Sequence, residues 1–179
     1  GLPFFEHEDE TSAIIDFLNE AGRKSKMQLN VNIGTFIPKP HTPFQWSFQL
    51  TEEQALDRML RIKRALPARY FKVNFQSPLM SYIEGIISRG DERAGDLIEE
   101  AYRRGAVLDA WEEHLRKDIW HEVIESADWN IEKETCSGKD VDYNFPWDGI
   151  TLNAGKKYIR SEYDKAFRGE LTSACTEDC

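Results

Sequence analysis

No apolar stretch in this 179-residue chain approaches the roughly 20 residues that a membrane-spanning helix needs. The first residues also lack a secretory signal, which would combine a charged start with an apolar centre. Cysteine is scarce, and its total of three is an odd number. These absences favour a protein of the reducing cytoplasm that does not enter a membrane.

Positive charge is also in short supply. The chain has 23 lysines and arginines against 32 aspartates and glutamates, which gives a net charge of −9. A broad nucleic-acid surface would need a basic domain and is therefore excluded. The residues present are 40% hydrophobic and 12% aromatic, a composition typical of a folded domain with its own core.

Common catalytic motifs are missing as well. The sequence has no nucleophile elbow, no phosphate-binding loop of the G-x-x-x-x-G-K type and no dinucleotide fingerprint. His114, Asp118 and His121 fall at helical spacing, but the second histidine of a zincin helix is absent, so a solvated helix face is the preferred interpretation. Cys175 and Cys179 form a CxxxC pair, which is either a partial metal site or two free thiols.

The most informative feature is the proline loop, defined as residues 35–46 (TFIPKPHTPFQW). Its prolines exclude a regular helix or a central strand, because proline lacks an amide donor and has a fixed φ. The loop also carries more aromatic surface than an idle linker needs. It is therefore predicted to form one wall of a site.

The pattern around the loop predicts alternating helices and strands. A helix capped by Thr11 or Ser12 runs to Ala21 and stops at Gly22, and a strand covers 27–37. Thr51 begins a helix of capping-box type that ends near residue 65. Later predictions are a strand at 71–75, helices at 79–87 and 94–104, a long helix from Asp109, an irregular region at 130–148, and a final helix at 156–167 closed by Gly169.

Strands that alternate with helices imply a parallel sheet with crossover helices. Ligands of such sheets bind at the carboxyl ends of the strands. Residues 34–46 and 76–78 follow the two predicted strands, and they are either a ligand rim or ordinary turns. His41 is the histidine of this region with a functional context.

Several strings keep their order along the chain and together resemble the radical SAM superfamily, most closely the B12-binding-type radical SAM proteins known as Fe–S oxidoreductases. The proline loop is the most specific of them. The others are Gly1-Leu2-Pro3, Ser77-Pro78 with Glu84, Ser88-Arg89-Gly90-Asp91 with Arg93, Gly105 with Asp109-Ala110-Trp111, Pro146-Trp147-Asp148, and the terminal Cys175 and Cys179.

The resemblance implies an α/β fold. Residues 1–108 would be the C-terminal strands and helices of a partial TIM-type (β/α)6 barrel, and residues 109–179 a helical extension. It implies an enzyme in which S-adenosylmethionine is reductively cleaved at a [4Fe–4S] cluster. Asn32, Gly34 and Ser77 would border the S-adenosylmethionine pocket. Lys39, His41, Gln45 and Trp46 would lie on the substrate side.

The family's CxxxCxxC cluster motif is absent, and Phe4-Phe5 stands where small polar residues are usual. This chain is therefore expected to be a fragment that has no catalytic residue, binds no cofactor alone and is inactive alone. Its expected partners are the upstream part of its own chain, an unidentified substrate, and a second copy at the exposed barrel edge. Whether the parent also uses cobalamin is left open. The alternative is a non-enzymatic interaction module that grips a partner with residues 35–46.

Overall fold

The structure is a computed structural model that describes residues 8–151 and 153–173. The predicted features at Gly1–Pro3, Phe4-Phe5, Cys175 and Cys179 lie outside the described residues. The described helices and strands are α1 (Glu8–Lys24), β1 (Leu29–Ile33), α2 (Glu52–Ala65), β2 (Phe71–Phe75), α3 (Pro78–Arg89), α4 (Arg93–Arg103), α5 (Lys117–Glu125), α6 (Ile131–Cys136) and α7 (Gly155–Arg168). The proline loop contains one short 3₁₀ helix, Pro43–Trp46. No helix in this part of the chain is long and apolar enough to cross a membrane.

The two strands form a parallel pair, as the alternation of helices and strands predicted. Leu29 lies opposite Phe71 and Ile33 opposite Phe75, so the two carboxyl ends are level. Alternate side chains point to opposite faces of a strand. The apolar residues of both strands pack against α1 and α2, in a cluster with Ile62 and Leu66. The α/β class is therefore confirmed, although β1 is shorter than the predicted 27–37 because residues 34–37 leave the ladder.

Helix α2 begins as predicted. The Thr51 hydroxyl accepts the Gln54 N–H, and the Gln54 side chain accepts the Thr51 N–H, which completes a capping box. Glu52 and Glu53 in the first turn and Lys63 and Arg64 in the last turn complement the helix dipole. This helix is the crossover between the two parallel strands.

The predicted end of the first helix at Gly22 is wrong, because α1 continues to Lys24. Gly22 serves instead as a point of close approach between the helix and the sheet. A Cβ atom at this position would lie 2.5 Å from Cζ of Phe71, whose ring is buried in the core. The capping residue is also different, since Thr11 lies inside the helix and is buried.

Gly22→Ala is therefore expected to destabilise the protein by about 1–3 kcal/mol, because the buried Phe71 ring must shift. Gly95→Ala in α4 is the matched control, since nothing lies within 4 Å of its Cβ position. That control is expected to be neutral or to stabilise by up to about 1 kcal/mol through helix propensity. Urea unfolding followed by circular dichroism measures both. Equal effects of the two substitutions would contradict the close packing at Gly22.

A second core joins α3, α4, α5 and α6 around Leu79, Ile86, Leu97 and Val123. This core combines residues that precede residue 108 with residues that follow residue 109, the boundary predicted between the barrel part and the helical extension. The long helix predicted from Asp109 is wrong in its first part, since residues 109–116 form turns and α5 begins at Lys117. The Asp109 carboxylate accepts the Arg116 N–H at 3.3 Å, which stabilises this turn.

The last described helix, α7, agrees with the prediction and ends at Gly169, which adopts the left-handed φ of 70°. Its Ile159 is buried with Trp46 and Phe145 in a third cluster. The region 130–148, predicted to be irregular, contains the short helix α6. Helix α7 and the segment before it thus cover the proline loop.

Candidate functional site

The candidate site lies at the carboxyl ends of β1 and β2. The ladder is extended by one bond, since the Gln76 N–H donates to the Ile33 carbonyl at 3.1 Å. Gly34 and Gln76 are therefore neighbours at the sheet edge. A Cβ atom on Gly34 would lie 3.7 Å from Gln76 Oε1, so the backbone of Gly34 is open to a ligand.

One face of the sheet is polar and exposed. It carries Asn30 and Asn32 from β1 and Lys72 and Asn74 from β2, all exposed. Asn74 Nδ2 lies 3.4 Å from Asn32 Oδ1. Asn32 and Gly34 are both exposed near the carboxyl end of β1. Gln76 belongs to the predicted strand exit 76–78. Lys72 and Asn74 were missed as site residues, although the parallel register places Asn74 directly opposite Asn32.

Ser77, the third predicted pocket residue, has a different position. It is buried, and its carbonyl accepts the N–H of Ser81 at 3.2 Å at the start of α3. The hydroxyl makes no cap bond to the helix backbone. Ser77 thus belongs to the packing beneath the sheet edge, and its side chain is not presented on the polar face.

Lys39 anchors the proline loop to α3. Its ammonium group pairs with the Glu84 carboxylate and donates to Ser88 Oγ at 3.1 Å. The side chains of Lys39 and Glu84 are 43% and 45% exposed, so this ion pair contributes at most about 1 kcal/mol. Its main effect is to place the loop beside the exit of β2.

His41 adopts a left-handed φ of 55°, a conformation that residues other than glycine seldom adopt. The turn is held by Gln45, whose Oε1 accepts the His41 N–H at 3.1 Å. The same oxygen accepts the indole N–H of Trp147, also at 3.1 Å. The Gln45 side chain is buried, and its Oε1 already accepts two hydrogen bonds from other residues of the protein.

Trp46 and Gln45, both predicted to lie on the substrate side, are buried in the structure. The Trp46 ring is 1% exposed and meets Tyr163 edge-on, with the ring centroids 5.3 Å apart. The reason is that α7 and residues 139–148 cover this side of the loop. Only Lys39 and His41 of the four predicted substrate-side residues remain accessible.

His41 borders a small cavity of about 90 Å³ beside Asp148 and Lys156. Asp148 Oδ2 accepts the Phe145 N–H at 2.9 Å and the Lys156 ammonium group at 2.7 Å. Burial alone would raise the pKa of Asp148, but these two hydrogen bonds and the nearby charges of Lys156 and His41 lower it overall. The Asp148 carboxylate thus connects the backbone at Phe145 to Lys156 of α7.

Asp148→Asn is expected to lower the free energy of unfolding by about 1–2 kcal/mol at neutral pH. Because the folded-state pKa lies below the ordinary value of 3.8, the stability from the carboxylate is fully present above that value. It is lost as the pH falls through the folded-state pKa, so wild type and variant should converge in acid. Asp142→Asn is the control, since that carboxylate is 81% exposed in its pair with Arg160. Unfolding titrations from pH 7 to pH 2 test this, and a constant difference would contradict it.

The described residues offer no candidate metal centre. Over residues 8–151 and 153–173, no three histidine, cysteine or carboxylate side chains lie close enough to hold an ion. Cys136 is buried, and burial raises the pKa of its thiol to about 12, which disfavours a thiolate ligand. His121 contacts Glu52 at 2.9 Å, while the proposed partial site at Cys175 and Cys179 lies outside the described residues.

Comparison with known proteins adds no relative. The chain matches no family model, no curated protein and no solved structure. The geometry of the sheet edge is therefore the basis for a functional proposal.

Proposed function

We propose that this chain is the C-terminal part of the radical SAM domain of an Fe–S oxidoreductase. The observation that supports it best is the one-sided sheet. Helices α1 and α2 both pack on the apolar face, while Asn30, Asn32, Lys72 and Asn74 are exposed on the other. In an open doubly wound sheet, helices cover both faces. A barrel has helices only on its outside, so a sheet face without a helix fits a segment of a partial (β/α)6 barrel. The polar side chains on that face would line an open interior, unlike the packed apolar interior of a closed eight-stranded barrel.

The sheet edge has features that fit S-adenosylmethionine. Asn32 and Gln76 offer amide donors and acceptors for a polar ligand. Gly34 leaves the backbone open between them, since no atom other than Gln76 Oε1 lies within 4 Å of its Cβ position among the described residues. When bound at a [4Fe–4S] cluster, S-adenosylmethionine would undergo the reductive cleavage typical of this superfamily. The role of this chain would be to bind and orient that cofactor.

The cluster itself does not fit the described residues. Cys136 is a single buried thiol, and the described chain brings no other cysteine beside it. The proposal therefore assigns the cluster ligands to a CxxxCxxC motif elsewhere in a longer parent chain. It follows that this chain alone should not cleave S-adenosylmethionine.

Lys39 and His41 would face the substrate from the proline loop. An interaction module built on residues 35–46 is less favoured, because its largest ring, Trp46, is buried against α7. Phe36 and Phe44 also contact each other edge-on, with centroids 6.0 Å apart. The strand edges that do not pair with each other would join neighbouring strands of the parent barrel, or a second copy when this chain is alone.

Titration calorimetry with S-adenosylmethionine tests the proposal in the reconstituted parent polypeptide. Gly34→Val should weaken binding about tenfold or more, because a branched side chain would occupy the open backbone position. Gly149→Val is the control, since its Cβ position is also open but lies far along the chain in an exposed turn. That variant should bind as the wild type does.

Failure of the wild-type parent to bind S-adenosylmethionine would refute the proposed function. Wild-type binding that Gly34→Val leaves unchanged would refute the placement of the pocket at this sheet edge. A complete cluster formed by this chain alone, measured as iron and sulfide, would refute the assignment of the cluster ligands to another segment.

A further inference from the structure

A cavity of about 630 Å³ lies between the start of α2, the end of α5 and the start of α6. Its volume falls within the range of small-molecule binding sites. The cavity shares no residue with the sheet edge proposed for S-adenosylmethionine or with the proline loop. A ligand of this cavity would therefore bind independently of that pocket.

The charged side chains that line the cavity are mostly acidic. They are Glu52 and Glu53 in the first turn of α2, Glu125 at the end of α5 and Glu132 in the first turn of α6. No lysine or arginine is among the described lining residues, and the one histidine, His121, contacts Glu52 at 2.9 Å. Glu53, Glu125 and Glu132 have no ion-pair partner within residues 8–151 and 153–173. Such a surface attracts cations, but acidic residues alone do not define a site.

A second observation is a tyrosine hydroxyl without a partner. Tyr82 of α3 lines the cavity, although only 8% of its surface is exposed. Its ring belongs to the core that contains Leu79 and Ile86. The hydroxyl makes no hydrogen bond within the described part of the chain, and its oxygen is not fully buried. The polar end of this otherwise buried side chain is therefore available to a ligand in the cavity.

The electrostatics of Tyr82 place its hydroxyl beside the acidic lining. Burial raises the pKa of Tyr82, and the neighbouring Cys136, Glu132 and Glu52 raise it further. Glu132 and Glu52 both line the cavity, so the hydroxyl faces the same space as these carboxylates. A neutral phenol oxygen can accept a hydrogen bond from a cation that the carboxylates attract.

The arrangement fits an extended cation better than a metal ion. Among the described residues, no three histidine, cysteine or carboxylate side chains lie close enough to hold one ion. The lining also has an apolar part, which includes Leu56, Ile124 and Ile131. An aliphatic chain can cover this surface while charged groups along it reach separate carboxylates.

The arginine next to the cavity does not oppose a cation. Arg93 lies 4.4 Å from the ring centroid of Trp129, which lines the cavity. Its guanidinium group pairs with Asp91 at 2.8 Å and with Glu134 at 2.5 Å. Two carboxylates thus compensate its charge, and the attraction from the unpaired glutamates of the lining remains.

We infer that this cavity binds a linear aliphatic polyamine. Its ammonium groups pair with Glu53, Glu125 and Glu132, and one of them also donates to the Tyr82 hydroxyl. The methylene chain lies on the apolar part of the lining beside Ile124.

Titration calorimetry on the full chain at low ionic strength tests this inference with three probes. Putrescine has two ammonium groups on a butane chain, and butylamine has the same chain with one. Mg²⁺ has the charge of putrescine in a compact ion. Putrescine should bind about tenfold more tightly than either of the others, because only putrescine can pair with two carboxylates and also cover apolar surface.

Three variants locate the site. Tyr82→Phe retains the ring and removes a hydroxyl that has no partner in the protein, so it should keep the stability and weaken putrescine binding about fivefold. Glu132→Gln should also weaken binding about fivefold, since it removes one charge at an exposed position. Glu113→Gln is the control, because Glu113 is also exposed but does not line the cavity. The control should bind putrescine as the wild type does.

Equal affinity for putrescine and Mg²⁺ would indicate a diffuse acidic surface and would overturn the inference. Unchanged putrescine binding in Tyr82→Phe would overturn it too, as would equal losses in Glu132→Gln and Glu113→Gln. Urea unfolding verifies that each variant is folded. If Tyr82→Phe is unstable, the comparison of Glu132→Gln with Glu113→Gln decides.

Discussion

Replacing Trp46 with alanine is expected to lower the free energy of unfolding by about 3–5 kcal/mol, the usual cost of removing a large buried ring. The ring is 1% exposed and packs with Phe145, Ile159 and Tyr163. These partners belong to α7 and to the segment before it. The substitution would therefore leave a cavity between the proline loop and the C-terminal part of the chain. Urea unfolding followed by circular dichroism measures the loss.

Two controls define what this result means. Trp111→Ala removes the same ring from a position that is 61% exposed, and it should change stability by no more than about 0.5 kcal/mol. Trp46→Phe should cost less than Trp46→Ala, since it retains a ring and removes an indole N–H that has no acceptor among the described residues. Equal losses for Trp46→Ala and Trp111→Ala would contradict the burial of the loop.

The second large effect is expected at Arg89. This arginine is 6% exposed, and its guanidinium group donates to the Thr135 carbonyl at 2.7 Å and to the Ser137 carbonyl at 3.2 Å. Burial lowers the pKa of Arg89 to about 10, because the charged form loses hydration. The side chain joins the end of α3 to the end of α6.

Arg89→Ala is expected to destabilise the protein by about 3–4 kcal/mol, since it leaves two carbonyl groups without their donors and opens a cavity. Arg89→Lys should lose less, because an ammonium group can still donate to one of the two carbonyls. Arg103→Ala is the surface control, and its partner Glu99 is largely exposed. A loss at Arg89 no larger than that at Arg103 would show that the two carbonyls do not depend on this side chain.

Trp46 and Arg89 differ in how much of their structural environment the sequence predicts. Trp46 was recognised as part of a specific loop, but its burial against α7 was not predicted. Arg89 was noted only within a string of the family resemblance, and nothing in its neighbourhood predicted a buried arginine. Its partner Thr135 is 46 residues away, so no local pattern links them.

Sequence patterns predicted the structure correctly where the groups that stabilise it lie within a few residues of each other. The capping box at Thr51 and the left-handed glycine at Gly169 depend on groups within a few residues, and both were predicted. The polar face with Asn32 follows from the alternation of β1. The helix predicted from Asp109 failed because apolar spacing alone does not report the turn that joins Asp109 and Arg116.

The sequence by itself determined most of the helices, the parallel strands and the position of Asn32 and Gly34 at the end of β1, because propensity, capping and alternation act over short distances. Only the tertiary structure decided which loop residues remain accessible. Gln45 receives its hydrogen bond from Trp147, 102 residues away, and Gly22 is required by the ring of Phe71. Such contacts depend on how distant segments pack. The hydrophobic effect is non-directional, so an apolar pattern marks a buried face without showing which distant segment covers it.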